Sequence, residues 1–159
     1  MSPAESDGEA ITPDGLTALK TELHELETVG RRAMAKRILA ARELGDLKEN
    51  AEYHIAKEDQ SHLETRIIRL RQRLRKAVIV ETSGDEATFA FGRTAEILDE
   101  ETGTVNVWTI VGPTEARLAE GKISSESPVA RAVLGRAPGD LVEVKTPRGT
   151  RRLRIQKLL

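Results

Sequence analysis

Two long stretches of the chain carry apolar residues at the spacing of an α-helix. The first covers residues 12–44 and begins with Thr12, Pro13 and Asp14, a hydroxyl N-cap followed by proline and an acid in the first turn. Its apolar positions have the 3-4-3 spacing of a coiled coil. They are Leu16, Leu19, Leu23 and Leu26, followed after a shift of phase around Gly30 by Met34, Ile38 and Ala41.

The second stretch runs to residue 77 and keeps one apolar register, in which Gln60 is the only polar member. Its apolar members are Ala56, Leu63, Ile67, Leu70, Leu74 and Ala77. Each predicted helix has roughly 28–32 residues and a length of about 40–48 Å. Because only a short turn that includes Gly45 separates them, we expect an antiparallel coiled-coil hairpin over residues 12–80.

After residue 77 the apolar residues alternate instead, which predicts strands. The predicted strands are 77–81, 87–91, 95–98, 105–111, 141–145 and 153–155, with short helices at 114–120 and 128–134. Ser127 would cap the second short helix and Gly135 would end it. Residues 81–159 are therefore predicted to form an α+β domain with a junction at 82–86, and the small, acidic residues 1–11 to form a disordered head.

Composition excludes several classes of protein. The 159 residues have a net charge of −1, 32% charged and 3% aromatic side chains, and no cysteine. With so small a net charge, the protein has no strong overall electrostatic field that would attract it to nucleic acid or membrane. The lack of cysteine excludes disulfides and metal sites with thiolate ligands. Residues 1–10 lack the features of a signal peptide, and no apolar run has the ~18–20 residues that cross a bilayer. We expect a cytoplasmic monomer with no membrane partner.

The candidate chemistry lies in the turn between the two helices, at Asp46 and Glu49. Their spacing has the form of a capping box, in which both side chains would serve the start of the second helix. Both would still be presented to a partner at the end of a long arm. Mg²⁺ needs near-octahedral oxygen coordination and is usually held by one or two carboxylates with water and phosphate. These two acids are thus half a site, which a partner would complete for two-metal hydrolysis of a phosphodiester.

Basic residues near the turn have two interpretations. Arg37, Arg42, Lys48 and Lys57 would contact phosphates if nucleic acid lies beside the end of the hairpin. The alternative is an ordinary solvated helix face with charge pairs four residues apart, and the charge pattern alone favours it.

Four blocks of sequence resemble the bacterial Gre-type transcript cleavage factors, GreA-like rather than GreB-like. They are residues 41–54 (ARELGDLKENAEYH), Phe91-Gly92, residues 110–112 (IVG) and residues 123–132 (ISSESPVARA). The resemblance covers nearly everything after residue 11. It implies an N-terminal coiled-coil hairpin and a C-terminal FKBP-like domain that binds RNA polymerase. It also implies that the hairpin enters the secondary channel and stimulates the polymerase's own cleavage of backtracked RNA.

By the same resemblance, Asp46 and Glu49 are the two acids that share Mg²⁺ with the polymerase. Arg42 and Lys57 match positions linked to the RNA 3′ segment, and Ser127 and Pro128 match the region that faces polymerase. The chain would not be an enzyme by itself, because it has no complete catalytic site.

Three other functions stay open at this point. One is a peptidyl-prolyl isomerase or chaperone, although the domain offers only Phe89, Phe91 and Trp108 as aromatic residues for a pocket. A second is a channel-binding inhibitor of the same fold, whose relatives crowd the turn with more acids. The third is a structural coiled-coil adaptor, which leaves the acidic turn unexplained.

Overall fold

A computed structural model describes residues 8–80 and 86–159 of the chain. The chain divides into two compact units: the helical unit, Leu16–Lys76, and the sheet unit, which combines the chain up to Gly15 with Ala77–Leu159. Residues 1–7 of the predicted head and residues 82–85 of the predicted junction lie outside the described residues.

The helical segments follow the predicted stripes. The first consists of α1 (Pro13–Glu25), a π-helical turn (Leu26–Gly30) and α2 (Arg31–Arg42), and the second is α3 (Ala51–Lys76). The π-helical turn lies where the apolar stripe was predicted to shift phase. The buried residues all belong to the two predicted stripes: Leu19, Leu23, Ile38, Ala41, Ala56, Ile67 and Leu70.

Ion pairs define how α2 and α3 are arranged. Arg31 pairs with Glu64 at 2.9 Å, and Arg37 pairs with Asp59 at 2.6 Å. As the residue number on α2 rises, the residue number of the paired acid on α3 falls, so the two helices run antiparallel. The hydrogen bonds from Arg31 lower the pKa of Glu64. A coiled coil over the whole length of the helices stays a prediction.

The sheet unit begins with two short parallel strands, and these correct one prediction. β1 (Glu9–Ile11) pairs with β2 (Ala77–Ile79), and Ile11 is 2% exposed. Residues 9–11 were assigned to a disordered head, which is wrong. Three residues show no periodicity, and their partner strand lies more than sixty positions away, so the local pattern could not reveal the pairing.

A mixed five-stranded sheet forms the rest of the unit, in the order β5-β4-β3-β7-β6. β3 runs antiparallel to β4 and β7, β6 is antiparallel to β7, and β5 is parallel to β4. The strands are β3 (Thr94–Asp99), β4 (Val105–Val111), β5 (Lys122–Ser124), β6 (Leu141–Thr146) and β7 (Gly149–Leu158). The predicted strands 95–98, 105–111, 141–145 and 153–155 are therefore confirmed. β3 is longer by one residue at each end, β6 is longer by one residue, and β7 has ten residues. β5 was not predicted.

Two predicted elements are wrong. Residues 87–91 are not a strand: Phe89 is fully buried, but its N–H donates to the carbonyl of Arg136 and its carbonyl accepts from Gly135. An apolar residue in a core-packed loop therefore mimics a strand. Residues 114–120 form only a 3-10 turn at Leu118–Glu120, which ends at Gly121 with a positive φ.

The core of the unit lies between the sheet and α4 (Pro128–Val133), which begins after Ser127 as predicted. Its fully buried large residues are Phe89, Ile97, Ile110, Val133, Leu153 and Ile155. The fold is thus a helical N-terminal part and a curled mixed sheet, and an FKBP-like topology stays a prediction. Among the described helices, none has a stretch apolar and long enough to cross a membrane.

Candidate functional site at the loop between α2 and α3

The loop between α2 and α3, residues 43–50, carries both predicted acids. Asp46 and Glu49 are exposed, as is every other residue of the loop except Asn50, which is half-buried. Gly45 has φ +127°, and a Cβ there would meet no atom within 4 Å. Its role is therefore the backbone conformation that lets the chain leave α2.

The predicted capping box is wrong. α3 begins at Ala51, and its cap is Asn50, whose Oδ1 accepts from the N–H of Tyr53 at 3.1 Å. Oδ1 of Asp46 instead accepts from the N–H of Lys48 at 3.0 Å, a turn within the loop. Because the helix starts several residues later than a box on Asp46 requires, neither acid is used to cap it.

The oxygens of both acids are accessible. Within the described part of the chain, the carboxylate of Glu49 and Oδ2 of Asp46 have no hydrogen-bond or ion-pair partner. Nor do any three His, Asp or Glu side chains of the described residues come together as a metal site. Asp46 and Glu49 thus offer carboxylate oxygens of the kind Mg²⁺ prefers, but fewer than its coordination requires.

Cationic side chains flank the loop. The guanidinium of Arg42 lies 5.9 Å from the ring centroid of Tyr53, a cation–π distance. Lys57 is exposed, and its Nζ donates to Oε1 of Gln60 at 2.9 Å. Arg37 pairs with Asp59, which makes it less available to phosphate than Arg42 or Lys57. RNA contact by Arg42 and Lys57 stays a prediction.

Asn50 was not among the functional residues predicted from the sequence. Its side chain also donates through Nδ2 to the carbonyl of Ala41 at 2.5 Å, near the end of α2. The available signal was an asparagine directly before the first residue of the second helix, which is a preferred N-cap. The capping-box spacing of Asp46 and Glu49 instead predicted where the helix starts.

Ser127 and Pro128 belong to the other unit. Oγ of Ser127 accepts from the N–H of Ala130 at 3.2 Å and donates to the carbonyl of Ser124 at 2.7 Å. Ser127 is half-buried and Pro128, the next residue, is exposed. Ser127 thus has a structural role as a cap, and polymerase contact by either residue stays a prediction.

The chain thus combines an exposed acidic loop between two helices with a mixed-sheet unit, and known proteins share its sequence over both units. Residues 9–79 match the family "Transcription elongation factor, N-terminal", and residues 83–158 match "Transcription elongation factor, GreA/GreB, C-term". The chain therefore belongs to the GreA/GreB family of transcription elongation factors.

Two curated relatives agree with that assignment. Transcription elongation factor GreA of Roseiflexus sp. (strain RS-1) is 47% identical over 147 residues, covering 91% of this chain and 93% of the relative. GreA of Jannaschia sp. (strain CCS1) is 43% identical over 148 residues, covering 93% and 95%. Among solved structures, GreA factor homologue 1 of Thermus thermophilus is 27% identical with a TM-score of 0.43, covering 96% and 99%.

Proposed function

We propose that this protein stimulates RNA polymerase to cleave backtracked RNA and so returns arrested elongation complexes to synthesis. The observation that carries the proposal is the exposure of Asp46 and Glu49 on a loop where neither carboxylate is used to cap a helix. Membership of the GreA/GreB family supports a role in elongation. In this proposal the chain acts in the cytoplasm as a monomer. It is not an enzyme by itself, because the polymerase completes the catalytic site.

Asp46 and Glu49 fit one half of a Mg²⁺ site. Oδ2 of Asp46 and both oxygens of Glu49 are free to accept a ligand bond among the described residues, whereas Oδ1 of Asp46 is held by Lys48. A bound Mg²⁺ would supply charge stabilisation and an activated water for phosphodiester hydrolysis. The contribution of this chain is to place two negative oxygens beside the polymerase's own ligands and to orient the attacking water by hydrogen bonds.

Other parts of the chain have supporting roles in this proposal. The helices act as a coiled-coil hairpin that reaches through the secondary channel. Arg42 and Lys57 lie on either side of the acidic loop in sequence and offer positive charge to the backbone of the displaced RNA. The sheet unit, as an FKBP-like domain, binds polymerase through the loop that contains Ser127 and Pro128.

The test is to add the protein and Mg²⁺ to a halted, backtracked elongation complex and measure release of short 3′ RNA fragments. Asp46→Asn and Glu49→Gln remove one charge each with little change of shape. Since Asn retains the Oδ1 acceptor for Lys48, we expect unchanged folding. Loss of one preorganised hydrogen-bond donor from an oxyanion hole costs about 10²–10³ in rate. By analogy, cleavage should fall by about that factor when one carboxylate is neutralised.

Glu43→Gln is the matched control, because Glu43 is an exposed acid of the same loop that the proposal gives no role. It should cleave like the wild type. Equal stimulation by wild type, Asp46→Asn and Glu49→Gln would refute the assignment of the acids. Slower elongation with no fragment release by the wild type would identify a channel-binding inhibitor instead.

The structure gives no support to a prolyl isomerase. Such a site needs an open pocket lined by aromatic side chains, yet Phe89 is fully buried and Trp108 is 8% exposed. Both are core residues of the sheet unit, and Phe91, the third aromatic residue, is half-buried and packs against the same core.

A further inference from the structure

The side chain of Asn50 joins the two helix ends that flank the acidic loop. Its Oδ1 accepts from the N–H of Tyr53 in the first turn of α3, at 3.1 Å. Its Nδ2 donates to the carbonyl of Ala41, in the last turn of α2, at 2.5 Å. One planar amide therefore satisfies an N–H group at the start of one helix and a carbonyl at the end of the other, both of which lack a full set of partners within their helix.

Few other side chains could make both bonds. Tyr53 N–H can only donate and Ala41 C=O can only accept, so their chemistry also determines which end of the amide faces which helix. Aspartate and serine are equally good N-caps. However, a carboxylate has no hydrogen to give Ala41, and the serine hydroxyl is too short to serve both groups. Capping alone therefore does not explain asparagine at this position.

The bond to Ala41 joins the two ends of the loop, and the seven residues 43–49 lie between Arg42, the last residue of α2, and Asn50. Within the loop the other hydrogen bonds are longer or more local: Leu44 N–H donates to the Ala41 carbonyl at 3.2 Å and Gly45 N–H to the Arg42 carbonyl at 3.4 Å. Lys48 N–H donates to Oδ1 of Asp46 at 3.0 Å, two residues away. On the other side, Nε2 of His54 lies 3.3 Å from the carbonyl of Lys48. The Asn50 side chain connects the departing and returning ends of the loop by hydrogen bonds, beside the cation–π contact between Arg42 and Tyr53.

We propose that Asn50 is a positioning residue that holds the loop, and with it Asp46 and Glu49, in the geometry required at the polymerase active centre. This inference rests on the proposed function. Asn50 itself need not touch RNA or metal. Its effect arises because a misplacement of about 1 Å at a reacting group can cost 10²-fold in rate.

The test compares Asn50→Ser with wild type in the full-length protein. Serine keeps a cap for α3 but removes the bond to Ala41, so we expect helix stability to be nearly unchanged. Cleavage at saturating protein should fall about 10-fold or more, while the protein concentration that gives half-maximal cleavage stays the same. A generally damaged fold would instead raise that concentration. Asn50→Asp is a second variant that keeps the cap, and it should also lose activity.

Hydrogen exchange provides a readout that does not depend on cleavage. Amides of residues 43–49 should exchange at least about fivefold faster in Asn50→Ser, whereas those in the middle of α3 should not change. If the loop amides of Asn50→Ser exchanged at the wild-type rate, the inference would be overturned. A wild-type cleavage rate in this variant would overturn it as well. If wild-type protein releases no RNA fragments, the proposed function fails, and the exchange experiment still decides whether Asn50 holds the loop.

Discussion

Replacing Asp99 with alanine removes a carboxylate from the interior of the sheet unit. Asp99 is 3% exposed and lies at the end of β3. Its Oδ2 accepts from Nη2 and Nε of Arg151 at 2.8 and 3.2 Å. Its Oδ1 accepts from the backbone N–H groups of Glu101 and Thr102, at 3.0 and 3.4 Å. One side chain thus joins β3, the turn that follows it, and β7.

The expected loss in the free energy of unfolding depends on the polar groups that lose Asp99 as their partner. Removing one partner of a fully buried ion pair costs about 3–5 kcal/mol. Here the Arg151 side chain is 38% exposed, so water can solvate the released guanidinium and the pair contributes less. The turn also loses two backbone hydrogen bonds, each worth about 1 kcal/mol. We expect a loss of about 2–3 kcal/mol in the free energy of unfolding.

Asp99→Asn separates charge from geometry, and its effect should depend on pH. The hydrogen bonds from Arg151, with those from Glu101 and Thr102, lower the pKa of Asp99 despite its burial. A lowered pKa means that the ionised group stabilises the fold above the unfolded-state pKa of about 3.9. This stabilisation is lost as the pH falls through the folded-state pKa. The stability difference between wild type and Asp99→Asn should therefore be constant near neutrality and shrink below about pH 4.

The single tryptophan makes the assay selective. Trp108 is the only tryptophan of the chain and lies in the core of the sheet unit, so its fluorescence during urea unfolding reports that unit. Glu100→Ala is the matched control, since Glu100 also pairs with an arginine of β7, Arg154, at 2.6 Å, but is exposed. Exposed pairs contribute about 0–1 kcal/mol.

Two results would refute this reasoning. One is an equal loss of stability in Asp99→Ala and Glu100→Ala, because burial would then not govern the energetics. The other is a difference between wild type and Asp99→Asn that does not shrink in acid.

Two further predictions concern the sheet unit. Gly112→Ala should detach β1, because an added Cβ would lie 2.0 Å from the carbonyl oxygen of Ala10; faster hydrogen exchange at residues 9–11 checks this, and unchanged exchange would show that the backbone adjusts. Ser127→Ala should cost about 1 kcal/mol in urea unfolding through loss of the cap, whereas Pro128→Ala should leave stability nearly unchanged and weaken polymerase binding in a pull-down. Undiminished binding by Pro128→Ala would argue against the polymerase-facing role.

The sequence by itself determined the parts of this protein that depend on local periodicity and local chemistry. The two apolar stripes predicted the helices and their buried residues, including the shift of phase near Gly30, because helix burial repeats every three or four residues. Strand β4 and the Ser127 cap were likewise visible in a few neighbouring residues. The exposed acidic loop was predicted because the two helices leave only a short connection between them.

Only the tertiary structure decided the features that depend on distant partners. β1 pairs with β2 across more than sixty residues, and Arg151 reaches Asp99 across 52 positions. In the sequence, Phe89 resembles a strand residue. In the structure it lies in a loop, where its backbone is hydrogen-bonded to Gly135 and Arg136 after α4. The cap of α3 was decided in the same way: Asp46 and Asn50 are both good N-caps, but only Asn50 lies where its amide meets Tyr53 and Ala41 together. Local propensity ranks such alternatives nearly equally, and contacts made on folding choose between them.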